Sequence, residues 1–124
     1  MSTETWHIDP ARRAQVVAAL REIADLLEGD AALPVPFTGS VQASVGYSLE
    51  QSARFAALRG YADRLGVDVV ETPSGSRRAR VDFGPISYVV HVNPDRPGGA
   101  ARPDRVVPAA EDAALTAGRA VDAA

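Results

Sequence analysis

Hydrophobic and polar residues alternate most regularly between Arg77 and Val92. On one parity lie Ala79, Val81 and Phe83, then Ile86, Tyr88, Val90 and Val92. On the other lie Arg78, Arg80 and Asp82, then Ser87, Val89 and His91. A period of two belongs to a strand with one apolar face, so the segment predicts two β-strands. Gly84-Pro85 stands between them. Glycine supplies the positive φ of the first central position of a type II′ turn, and proline suits the second, where no N–H is needed. That turn sets the register. Phe83 should face Ile86, Val81 Tyr88, Ala79 Val90, Arg80 Val89 and Arg78 His91. Turn chemistry and patterning then agree, with the apolar pairs on one side.

Two stretches carry helical periodicity instead. Val16, Val17, Leu20, Ile23, Ala24 and Leu27 form one stripe. Asp9 is a helix cap, Pro10 suits the first helical position, and Gly29 ends the helix after Glu28. Arg12 and Arg13 stand in the first turn, where the helix dipole disfavours cations, and read as a solvated face. Leu33-Pro34-Val35-Pro36 then makes a stiff extended connector. The second helix is expected from about Leu49 to Leu65, capped by Ser48 with Gln51 three residues on, and stopped by Gly66. Phe55, Leu58, Ala62 and Leu65 line its apolar stripe.

Between the helices, Phe37 to Tyr47 reads as a long strand. Its odd positions run Phe37, Gly39, Val41, Ala43, Val45 and Tyr47. Its even positions, Thr38, Ser40, Gln42, Ser44 and Gly46, are small and polar and should meet water or a ligand. Val67 to Thr72 is a further strand of undecided facing, followed by a turn at Pro73-Ser74-Gly75-Ser76. Beyond Val92 the chain holds four of its nine prolines and no aromatic residue.

These elements predict an α+β two-layer sandwich in the order α-β-α-β-β-β, a mainly antiparallel four-stranded sheet with two helices on one face. Residues 1–8 are expected to be a flexible N-terminus and 9–93 a single domain. Residues 94–124 are expected to be a mostly disordered tail, loose at least to Val107, with a weak helix over 108–121.

Composition narrows the function. The 124 residues make one domain at most. With no cysteine there is no disulfide, thiolate nucleophile or cysteine metal site. A net charge of -3 argues against a strongly basic nucleic-acid binder. All 13 basic residues are arginine, a bias that a GC-rich genome explains. No apolar run is long enough to span a membrane, and a cytoplasmic setting is expected. The histidines, His7 and His91, share no metal-binding or catalytic spacing, and no Gly-rich phosphate loop or nucleophile elbow occurs. No enzyme activity, metal or cofactor is expected.

One constellation stands out. Arg78, Arg80 and His91 should project from the polar side of the hairpin, joined by Ser40, Gln42 and Ser44 if the first strand enters the same sheet. Such a face could hold a phosphate or a partner's carboxylate, or simply be solvated. Phe83 and Tyr88 should point inward, leaving no stacking aromatic for single-stranded nucleic acid.

The run at 18–45, AALREIADLLEGDAALPVPFTGSVQASV, together with FAALRGYADRLGVDVVE at 55–71 and VDFGPISYVV at 81–90, resembles uncharacterised small proteins of actinobacteria and of their phages and plasmids. The resemblance covers roughly 10–93. It implies that setting and carries no catalytic residues. The expected function is a small non-enzymatic protein-interaction or regulatory module with a protein partner, homo-oligomerisation being open. The alternative is a weak nucleic-acid-binding module using the arginine-bearing face.

Overall fold

The computed structural model describes residues 8–45, 50–95 and 103–112. The first helix, α1, spans Pro10–Gly29, and the Asp9 carboxylate caps it by accepting a 3.0 Å hydrogen bond from the Ala11 N–H. Strand β1 is Gly39–Ser44 and helix α2 is Gln51–Leu65. Then come β2 (Val69–Glu71), β3 (Arg77–Phe83), β4 (Ile86–Val92) and β5 (Arg105–Val107). Residues 109–112 are helical.

The chain folds as α+β around one mixed sheet of five strands in the order β1-β4-β3-β2-β5. β1 runs parallel to β4, and the other three pairings are antiparallel. β1 and β2 therefore point the same way with β4 and β3 between them, and α2 makes the crossover. The hairpin has the register its turn dictates: Phe83 faces Ile86, Val81 Tyr88, Ala79 Val90, Arg80 Val89 and Arg78 His91. Gly84 has φ +65°, the conformation the turn requires of it. Gly66 ends α2 at φ +70°, its N–H bonded to the carbonyls of Ala62 and Asp63.

The core lies between α2 and one face of the sheet. Phe55, Leu58 and Ala62 of α2 pack on Val69, Ala79, Val90, Val92 and Val107, with Val45 beside them. All are buried, as their stripe and parity require.

Several expectations are corrected. The sheet has five strands, not four, because the expected loose segment supplies β5. Its residues pair with Val69, Val70 and Glu71, and Val107 is only 1% exposed. Three residues suffice here because their ladder bonds and one buried valine are supplemented by an ion pair from Glu71 of β2 and a hydrogen bond from Arg59 of α2. The expected roof of two helices is realised only by α2. No residue of α1 is buried, and its stripe is left uncovered. Phe83 takes the apolar side but is 67% exposed, because it lies at the hairpin tip beyond the reach of α2. β1 is shorter than expected, and Phe37 is outside it and exposed. α2 begins at Gln51 with Glu50 at its cap position, without a side-chain cap bond. His7, the Ser48 cap and most of the weak helix over 108–121 lie outside the described residues.

Candidate functional site on the open face of the sheet

Parity sends every second residue of each strand away from α2. In β1 these are Ser40, Gln42 and Ser44, which lie beside Ser87, Val89 and His91 of β4. Those in turn lie beside Asp82, Arg80 and Arg78 of β3. All six residues singled out from the sequence therefore share one face, across three adjacent strands. Beyond them the face continues through Val70 and Val106. A shallow trough of about 470 Å³ runs over it, with Ser87 and Val89 as its buried floor.

The polar groups of this face are already engaged with one another. Ser44 Oγ lies 3.0 Å from His91 Nε2, a bond that crosses from β1 to β4. Gln42 Nε2 donates to Ser40 Oγ at 3.0 Å. Arg80 Nε donates to Asp82 Oδ1 at 2.6 Å and to Ser87 Oγ at 3.1 Å, while Ser87 Oγ donates to the same carboxylate oxygen at 2.7 Å. The Ser87 hydroxyl, and after it the Arg80 guanidinium, hold the Asp82 carboxyl below the usual carboxylate range. Arg78 Nη2 donates to Asp104 Oδ2 at 2.9 Å.

Two arginines and two aspartates thus cancel. The face is a mosaic of donors, acceptors and short apolar floor, without net charge when His91 is neutral. Sequence reasoning placed Asp82 and Ser87 on this face but gave them no role. Their signal is parity together with the two-residue spacing between Arg80 and Asp82. Asp104 carried no signal, since its place depends on β5.

A second ionic group lies on the opposite, covered side. Arg77 shares the parity of Ala79 and is therefore buried. Its guanidinium meets Glu71 at 3.1 Å and Asp112 at 2.8 Å, and stacks 4.0 Å over the Phe55 ring. Arg59 Nε reaches Asp112 at 2.9 Å, and its Nη2 donates to the Val107 carbonyl at 2.6 Å. Arg105 bridges Glu71 and Glu111 at 3.1 Å each. Burial alone would raise the Glu71 carboxyl, but the hydrogen bonds from Arg105 and Arg77 outweigh it and hold the group low. This cluster fastens β5 and residues 109–112 to the sheet and α2.

Among the described residues, no group of three or more His, Asp or Glu side chains is arranged to hold a metal ion, and no helix is long and apolar enough to cross a membrane. No protein-family model, characterised protein or solved structure matches the chain.

Proposed function

We propose that this chain is a small non-enzymatic interaction or regulatory module that recognises a partner protein through the open face of its sheet. In this reading it is a two-layer sandwich working in the cytoplasm. α2, with α1 standing off beside it, occupies one side and leaves the other for recognition. An origin in an actinobacterial phage or mobile element accords with the wording of its helices and strands.

The observation that carries the reading is the self-neutralised mosaic. Arg78 and Arg80 each already have a carboxylate at hydrogen-bond distance. Phosphate-backbone binding draws on net positive charge, which such a face does not supply. A protein surface instead offers donors, acceptors and apolar contacts in mixture, which suits hydroxyl, amide and paired ionic groups over a valine floor.

The test is affinity capture from nuclease-treated native lysate, comparing the native chain with Arg78→Ala/Arg80→Ala. A partner retained by the native chain and lost by the double variant is the expected result. Retention by both removes the face from the account. Binding that requires nucleic acid, and that collapses between low and moderate salt, replaces the proposal with the nucleic-acid alternative.

A further inference from the structure

The remaining unexplained feature is α1. Val16, Val17, Leu20, Ile23 and Leu26 are all exposed along it, the last 58%. Val16, Val17 and Leu20 face a groove of about 600 Å³ whose far wall is Val41, Phe83, Ile86 and Tyr88 of the sheet. Helices in proteins draw most of their stability from burying such a stripe, and α1 buries no residue.

Its charges are also placed against its own dipole. The first turn carries Arg12 and Arg13 and no acid, while Asp25 and Glu28 follow toward the C-terminal end and no basic residue stands in the last turn. Both ends are destabilised by this arrangement when the helix is alone. Among the described residues, none of these four side chains makes an ion pair within the chain.

We infer that α1 is the seam of a homodimer, packing antiparallel against α1 of a second copy. Antiparallel packing centred on Leu20 sets Val16 level with Ala24, Val17 level with Ile23 and Arg12 level with Glu28, each pair equally spaced about Leu20. Arg12 and Arg13 of each helix then stand near Glu28 of the other, while Asp25, about 140° round the helix from Leu20, stays outside the seam. The same reversal sets each helix dipole against its neighbour's. Self-complementarity is what a two-fold interface requires, because one patch must fit its own copy. The length suits it too: 20 residues give a seam of about 30 Å. Five large aliphatic side chains of α1 and the adjoining Phe83 are exposed together, and a monomer seldom leaves a contiguous apolar patch beyond roughly 300–600 Å² open. Covering such a patch on both copies is what an interface of roughly 1,000 Å² in total requires. This inference concerns the side of the molecule away from the open face and does not depend on how that face is used.

The experiment is sedimentation equilibrium of the full chain and two charge-reversed variants, Arg12→Glu/Arg13→Glu and Glu28→Arg. The native chain is expected at twice its 13.0 kDa mass. Each variant alone should be shifted toward monomer by at least tenfold in dissociation constant. An equimolar mixture of the two should recover the dimer, since both ends become complementary again. Each reversal puts charge where the helix dipole favours it, so helix content by circular dichroism should be kept or raised. Loss of the dimer then cannot be laid to unfolding. A native chain that stays monomeric across the dilution series overturns the inference and points to α1 closing over its own sheet. A dimer indifferent to both reversals, or reversals that the mixture fails to rescue, overturns it equally.

Discussion

Arg77 lies among apolar neighbours because strand parity puts it there, and it is tolerated because Glu71, Asp112 and the Phe55 ring surround it. Removing one partner from a buried ion pair strands the others. Arg77→Ala is therefore expected to lower the unfolding free energy by about 3–5 kcal/mol, read from urea unfolding. Arg77→Lys should recover little, since a point charge cannot reach two carboxylates in the planar fork that arginine offers. Glu71 adds a pH dependence of definite sign. Its folded carboxyl is held below the ordinary value, so the native state binds fewer protons than the unfolded chain in the acid range. The stabilisation is complete above the ordinary glutamate value of about 4.3 and is lost as pH falls below it through the lower folded value. The melting temperature should be level from neutral pH to about 5 and fall below about 4.3, and Glu71→Gln should flatten that fall. An acid limb unchanged by the substitution would assign the effect to other groups.

At the scale of elements, the hairpin shows how much a local signal can carry. Its turn is set by Gly84, where an added Cβ meets no atom within 4 Å, so Gly84→Ala isolates the strain of positive φ and should cost about 1–2 kcal/mol. Gly60, exposed within α2, has equally open space around it, and Gly60→Ala should raise stability by about 0.5–1 kcal/mol. Paired thermal melts of the two variants check both signs. The register of β3 and β4 was legible because turn type and alternation lie within sixteen neighbouring residues, and the same parity gathered Ser40, Gln42, Ser44, Arg78, Arg80 and His91 onto one face. It also marks Arg77 as inward, a sign present in the sequence though unused. β5 was not legible. Pro103-Asp104 and Pro108 bracket Arg105-Val106-Val107, but three residues are too few to show alternation, and its partners at 69–71 are distant in sequence. Val107→Ala should nonetheless cost about 2 kcal/mol, the loss of two buried carbons with little collapse of the site, as urea unfolding would show. Nor could the stripe of α1 reveal its covering. Periodicity shows that a helix has an apolar side but leaves open whether its own sheet or another copy meets it.

For the whole molecule the governing fact is sidedness. α2 and the buried ionic cluster close one side of the sheet, and on the other side polar residues line an open trough. The recognition proposed for the open face and the pairing inferred for α1 would use opposite sides, so a dimer would present two such faces at once. Because the chain has no cysteine, single-cysteine variants report on each side without background. The most direct measurement is the rate of thiol modification of Gln42→Cys and Ala79→Cys in the native protein. Gln42 is exposed on the open face, and Ala79 is fully buried beneath α2. The Gln42→Cys thiol should react at close to the rate of the denatured chain, and the Ala79→Cys thiol only as fast as the protein unfolds. Equal protection of the two, or ready reaction at Ala79→Cys under native conditions, would contradict the account.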